Sequence, residues 1–158
     1  MADNGKVIRE FYEAFDRHDG NAMAKAYAPD GRFRDPVFGE LTGEEAGDMW
    51  RMLTSRAEDL DVELAEHSAN GDAGSARWIA TYTFAATGRK VVNDIQAKFR
   101  FSDGKIAEHD DDFSFWAWSR QAMGPMGTVL GWTPLLRMMV GRRARGDLEK
   151  FRAERAGG

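Results

Sequence analysis

The sequence predicts an α+β domain in which a curved antiparallel sheet carries helices on its concave face. Apolar residues recur at helical spacing in the first third of the chain. From Val62 onward they recur at every second position. Glycine-containing turn signals separate the period-two runs, so helices come first and long strands follow, segregated to one face.

Val7, Ile8, Phe11, Tyr12 and Phe15 mark an amphipathic helix over about residues 4–17. His18-Asp19-Gly20-Asn21 interrupts it, and Ala22–Ala28 restarts a short helix. Pro29-Asp30-Gly31 reads as a turn, Arg32–Val37 as a short strand, and Phe38–Gly43 as its tight return. Thr42 is placed to cap a helix over about residues 44–57, with Glu44 and Glu45 at the positive end of its dipole. Met49, Trp50 and Leu53 supply its apolar stripe. Val62–Ser68, Ala76–Thr87, Lys90–Ser102 and Lys105–Trp118 then read as four strands. Asn70-Gly71-Asp72, Thr87-Gly88 and Asp103-Gly104 punctuate them, the last two as hairpin turns. Alternation is clearest in the third of these strands, with Ile95, Ala97, Phe99 and Phe101 on one face and Gln96, Lys98 and Arg100 on the other. Helices closing such a sheet would enclose a ligand cavity.

The 158 residues suffice for one domain with a real core, and 42% hydrophobic with 30% charged residues is a globular balance. There is no cysteine, which excludes disulfides, thiolate metal sites and cysteine nucleophiles. The segment MADNGKVIRE carries no basic-then-apolar signal, and no apolar run is long enough to cross a bilayer, so a cytoplasmic location is expected. Net charge is −4 but unevenly spread. From Pro134 to Gly158 seven basic residues face three acids, a +4 tail on a body of −8. The acidic body argues against nucleic acid as a partner.

The densest chemistry is Lys105-Ile106-Ala107-Glu108-His109-Asp110-Asp111-Asp112-Phe113. Alternation groups His109 and Asp111 with Phe113 and Phe115. One reading brings Asp35, His109 and Asp111 together in an apolar cavity, where burial lifts a carboxyl into the range useful for proton transfer. The other leaves the acids as a solvated edge, His109 as a structural residue and Asp35 as the start of an Asp-Pro turn. His109 and the two aspartates are the residue types of a metal-binding facial triad, but no spacing here is specific to one, and no metal is expected. There is no glycine-serine-glycine elbow and no phosphate loop. Aromatic stripes are usually core, but in a cavity-bearing fold they also line the ligand site.

These residues resemble the NTF2-like superfamily, whose members include ketosteroid isomerases, SnoaL-type polyketide cyclases and many SnoaL-like proteins. The resemblance runs from about Val7 to Phe115 and rests on two segments, Tyr27-Ala28-Pro29-Asp30-Gly31-Arg32-Phe33-Arg34-Asp35-Pro36-Val37 and Gly88-Arg89-Lys90 through Phe99-Arg100-Phe101. It implies a cone-shaped α+β barrel and places Asp35 where the isomerase keeps its base. Phe11 and Ala97 stand where that enzyme has its two oxyanion donors, and Tyr12, one position off, is expected to face elsewhere. Loss of one such donor typically costs ~10²–10³ in rate, so strict ketosteroid isomerase activity is not expected. SnoaL-type members place an acid on the last strand, where Asp111 stands, with His109 positioned to orient it or polarise a carbonyl. An Asp–Arg–Asp epoxide-hydrolase pattern would need an inward Arg and Asp where this chain has Ala97 and Phe99.

The expectation is therefore an NTF2-like domain over residues 1–118, with a pocket walled by Phe11, Phe15, Phe33, Trp50, Trp78, Tyr82, Phe84, Ala97, Phe99 and Phe113 around Asp35, His109 and Asp111. It would use a small hydrophobic ligand, no cofactor and cofactor-independent proton transfer, and would form a homodimer. A non-catalytic binding or interaction module is the alternative. Residues 119–158 form a helical extension, apolar around Met123–Val140 and then basic. Interspersed acids, Trp132 and the methionines favour packing over the cone's mouth or across a dimer, rather than contact of a basic amphipathic helix with a membrane.

Overall fold

The computed structural model describes residues 3–56 and 58–157. The last residue of the helix expected over 44–57 and the two chain ends lie outside the described residues. Helix α1 (Asn4–Asp16) starts where the Asp3 carboxylate accepts the Lys6 N–H, and it buries Ile8, Phe11, Tyr12, Ala14 and Phe15. Helix α2 (Gly20–Lys25) is capped in the same way by Asp19. It ends three residues earlier than the sequence predicts. Ala28 precedes Pro29, and the proline ring disfavours helical backbone there. The chain becomes extended from Tyr27, so Pro29-Asp30-Gly31 lies within strand β1 (Tyr27–Asp35) and not in a turn. The irregularity survives as a register break between Tyr27 and Arg32.

Strand β2 (Gly39–Thr42) returns antiparallel on β1, pairing Phe33 with Leu41 and Asp35 with Gly39. Helix α3 (Gly43–Arg56) opens with a reciprocal cap. Thr42 Oγ1 accepts the Glu45 N–H at 3.1 Å, and Glu45 accepts the Thr42 N–H at 3.0 Å. Strands β3 (Asp61–Asn70), β4 (Ala73–Phe84), β5 (Arg89–Ser102) and β6 (Lys105–Asp112) follow in antiparallel succession. In β5 every second residue from Val91 to Phe101 is buried, as the alternation predicts. The β5–β6 turn is closed by Asp103 and Gly104, both at positive φ, the geometry that suits a right-twisted hairpin.

Two further features depart from the sequence reading. Strand β6 stops at Asp112, and Phe113–Trp118 does not extend it. Ser114 caps helix α4 (Phe115–Met123) by accepting the Ala117 N–H, and Phe115, Trp118 and Ala122 follow at helical spacing. The sheet is also mixed. Its order is β2-β1-β6-β5-β4-β3, and β1 pairs with β6 in parallel, Phe33 beside His109 and Arg34 beside Asp110. A parallel pair needs a crossover, here supplied by everything between residues 36 and 104. The sheet is curved and unclosed, with β2 and β3 at its edges.

The concave face holds the main core, and α1 and α3 lie in it. The outer face is polar and laced with ion pairs such as Arg77–Asp94 and Arg34–Asp110, each 2.7 Å. Helix α5 (Pro125–Leu130) leads to the long helix α6 (Pro134–Gly157). Leu136 enters a second cluster with Val91, Phe115 and Trp118, while Leu148 enters the main core, so α6 spans both. Between them it crosses the β1–β2 turn, where Arg137 Nε donates to the Pro36 carbonyl at 3.2 Å. Its far end is held by Asp48 of α3, a buried carboxylate that accepts from Arg51 at 2.8 Å and from Arg152 at 3.0 Å and pairs with Arg155 at 3.5 Å. Among the described residues no helix is long and apolar enough to cross a membrane.

A Cβ at Gly141 would lie 2.7 Å from the Val37 carbonyl oxygen, backbone against backbone. Gly141→Ala is therefore expected to push α6 off the β1–β2 turn and destabilise the fold by about 1–3 kcal/mol, measured by chemical denaturation. Gly146→Ala, in open space on the same helix, serves as the control and is expected to be neutral or stabilising.

Candidate acid–base site

His109 and Asp111 lie side by side on the concave face of β6, 2% and 4% exposed, so they are not a solvated edge. They belong to a chain of five buried side chains drawn from four elements. Trp50 Nε1–H of α3 donates to the Tyr27 hydroxyl of β1 at 2.8 Å. Tyr27 Oη lies 2.8 Å from His109 Nδ1, and His109 Nε2 lies 2.9 Å from Asp111 Oδ1. Trp78 Nε1–H of β4 donates to the same carboxylate oxygen at 3.3 Å. Indole nitrogens only donate, so the direction is fixed from both ends. Tyr27 accepts from Trp50 and donates its own O–H to His109 Nδ1. His109 then carries its hydrogen on Nε2 and donates it to Asp111, and donor counting assigns that tautomer.

The imidazole is boxed by aromatic rings. Phe99 lies 4.4 Å away, Phe33 5.0 Å and Phe11 5.7 Å between centroids, and Trp50 stacks at 6.2 Å. Phe15 packs edge-on to Trp50 from α1, and Ala97 sits opposite Asp111 on β5, its small side chain leaving room for the carboxylate. Burial pushes the Tyr27 hydroxyl well above the usual phenol range, and the Asp111 charge adds to this against the opposing Trp50 hydrogen bond.

Asp35 lies at the end of β1, one step beyond the Arg34–Asp110 pair. Its Oδ1 accepts the N–H groups of Val37 at 2.9 Å and Phe38 at 2.6 Å, so it does form the Asp-Pro turn. It is also half-buried. Its pKa is raised from an ordinary 3.8 to about 7: burial raises it most, the Asp111 charge adds to this, and the two N–H groups and His109 pull the other way. Turn-former and perturbed carboxyl are thus the same residue.

Tyr12 reverses an expectation. It does not face elsewhere: its ring is 2% exposed, 5.6 Å from Trp78 and 6.4 Å from Phe99. Its hydroxyl is buried without a hydrogen-bond partner among the described residues, and burial, then the charges of Asp111 and Tyr27, raise its pKa well above the usual range. The sequence reading turned Tyr12 away from the site and gave Tyr27 no role in it. The available signal was that Tyr12 lies on the apolar stripe of α1 and that Tyr27 opens the matched segment ending at Asp35-Pro36-Val37.

Tyr82 and Phe84 do not join this constellation. Both pack against the second cluster, where Trp118 Nε1–H donates to Tyr82 at 2.8 Å and Phe84 meets the Trp118 ring edge-on, and Tyr82 also touches the main core. Phe113 is half-buried between the two clusters. The expected cavity around His109 is filled by the aromatic residues named to line it. Among the described residues, two surface grooves of about 630 and 560 Å³ are present, and neither is lined by Asp35, His109 or Asp111.

Two outcomes test this geometry. Tyr27→Phe leaves the Trp50 N–H and His109 Nδ1 without partners and is expected to cost about 2–4 kcal/mol in denaturant unfolding. At Asp35 the native carboxyl keeps its proton up to about pH 7, whereas an unfolded one releases it near 3.8. Native protein therefore binds more protons across that window, and the contribution of Asp35 to stability falls as pH rises through it. Asp35→Asn keeps an oxygen acceptor without the charge. It is expected to gain about 1–2 kcal/mol at pH 8, discounted for partial solvation, with the gain vanishing towards pH 4 in paired unfolding titrations.

Residues 8–109 match the SnoaL-like domain family. No curated protein matches the chain significantly in sequence. Among solved structures, a Catenulispora acidiphila hypothetical protein with a ketosteroid isomerase-like fold, in complex with trimethylamine, superposes with a TM-score of 0.68 at 18% identity, over 82% of this chain and 98% of that one. IdmH, a putative polyketide cyclase from Streptomyces antibioticus, gives 0.64 at 21% identity over 75% and 96%. An M. tuberculosis LEH-like epoxide hydrolase gives 0.64 at 17% identity over 80% and 95%. At such identities these likenesses establish the fold, and the sequence match establishes more: the chain belongs to the SnoaL-like family of the NTF2-like superfamily.

Proposed function

We propose that this protein is a cofactor-independent acid–base enzyme acting on an apolar carbonyl compound, in an isomerase- or cyclase-type reaction. One observation carries the proposal: a half-buried carboxyl, Asp35, with its pKa moved to about 7, stands at the end of a strand beside a buried histidine–aspartate pair. A base poised near the working pH combines a useful fraction of carboxylate with enough driving force to take a proton.

In the proposed step the Asp35 carboxylate removes a proton from the carbon next to the substrate carbonyl. The C–H electron pair moves into an enolate whose charge collects on oxygen. The proton then returns from Asp35 to another carbon, or the enolate carbon attacks a second carbonyl and closes a ring, and the alkoxide formed on that carbonyl oxygen takes the proton back from Asp35. Phe11 and Ala97 offer that oxygen no donor. The Tyr12 O–H, buried and unpaired, is the donor the chain has instead. Tyr27, His109 and Asp111 act as positioning residues, since each already satisfies the next. Substrate entry requires the aromatic filling beside Asp35 to open, and α6 lies across that turn. A homodimer through the outer sheet face and a small hydrophobic ligand belong to the same proposal.

The filled interior favours a second reading, a binding or interaction module without turnover. Exchange of solvent deuterium into the α-carbon of enone and polyketide-like substrates separates the two. The wild type is expected to catalyse it with a rate that rises through about pH 7, and Asp35→Asn to lose at least ~10² of that rate. Tyr12→Phe is expected to lose ~10²–10³, with little change in stability because its hydroxyl bonds nothing. If the wild type exchanges none of these substrates, or the Asp35→Asn rate is unchanged, the enzyme reading fails.

A further inference from the structure

Among the described residues, the exposed large apolar side chains other than Val92 all lie between Trp116 and Met139. Trp132 is 73% exposed, Val129 64% and Leu135 63%. They sit on α5, at the α5–α6 corner and on the outward stripe of α6. There Leu135, Met138, Met139 and Arg142 recur at i, i+3, i+4 and i+7, apart from the inward stripe of Leu136, Val140, Ala144 and Leu148. An apolar projection of this kind on a folded domain marks a docking surface.

Charge says what docks there. From Phe113 to Gly146 the chain has no acidic residue, while it carries Arg120, Arg137, Arg142, Arg143 and Arg145, in a protein whose net charge is −4. Independently, a groove of about 560 Å³ beside α5 is lined by Arg89, Lys90 and Arg120 together with Thr128 and Val129, and no acid lines it. The Arg120 guanidinium lies 5.2 Å over the Trp116 ring, pairing a cation with an indole as interfacial sites do.

We propose that this face docks on an anionic bilayer. Val129, Trp132 and Leu135 enter the boundary between headgroups and acyl chains, and the Arg89–Lys90–Arg120 groove takes lipid phosphate. A second copy of the chain fits poorly, because a two-fold contact would set the same arginines against one another. A bilayer accepts a convex apolar projection and supplies the missing negative charge. The docking is peripheral, and it does not depend on the acid–base reading.

Co-sedimentation of the full chain with vesicles of phosphatidylcholine alone, and of phosphatidylcholine mixed with phosphatidylglycerol, tests this. Binding is expected to the anionic vesicles only, weakening as salt rises. Trp132→Ser with Leu135→Ser, and separately Lys90→Gln with Arg120→Gln, are each expected to weaken it by at least about tenfold while circular dichroism stays unchanged. If the second pair disturbs folding, Arg142→Gln with Arg143→Gln gives the same readout from exposed positions. Equal binding to both vesicle types overturns the proposal, as does no binding to either. So does a dimer in sedimentation velocity that Trp132→Ser dissolves while vesicles capture nothing.

Discussion

The run of hydrogen bonds from Trp50 through Tyr27, His109 and Asp111 to Trp78 is the constraint on which the rest of this structure depends. Each member is a polar group taken out of water, and each would be costly alone. Together they satisfy one another and fix how α3, β1, β6 and β4 meet. The packed rings around them follow from this arrangement. Phe11, Phe33 and Phe99 can surround an imidazole because its two nitrogens already have partners. A buried polar network that is fully paired specifies one arrangement of the core more sharply than apolar contacts do.

The same frame sets the character of Asp35. Phe33 and His109 are neighbours in the parallel pair, so the next inward positions bring two carboxylates close together at the rim of the core. Asp111 is held by an indole and an imidazole. Asp35 accepts two backbone N–H groups and is drawn down by His109, yet burial and the charge of its neighbour outweigh them and its pKa is raised to about 7. Around this rim the C-terminal helix is fastened at both ends, by apolar contact at Leu136 and by the arginines gathered on Asp48.

Much of this was legible in the sequence, and the illegible parts share a cause. The alternation of β5, the Thr42 cap and the Asp103-Gly104 hairpin are local, and local signals read correctly. The parallel β1–β6 pairing was not readable, because strand partners distant in sequence leave no periodic trace. The strand read through to Trp118 failed where Phe113 and Phe115 continued the alternation past Ser114, whose capping role was overlooked. Counting from Asp35 placed Phe11 on the inner face and turned Tyr12 away, as if the helix buried a narrow stripe. Helix α1 lies in the hollow of a curved sheet and buries Ile8, Phe11, Tyr12 and Phe15 together. Asp35, His109 and Asp111 were found from residue type and alternation. Tyr27 became meaningful only when β1 was set against β6.

The parallel pairing also has a consequence for how the chain acquires its site. Tyr27 and His109 are 82 positions apart, and the contact between them is among the most non-local in the protein. Non-local contacts form late, because a long loop must lose its freedom before they reward it. On a ribosome the helices and the β3–β4–β5 meander can begin to organise while β6 is still unmade. The site cannot, since half of it arrives with residues 105–112. Until then the Tyr27 hydroxyl has no acceptor for its proton and β1 lacks its β6 neighbour, so closing the sheet and building the site are one event.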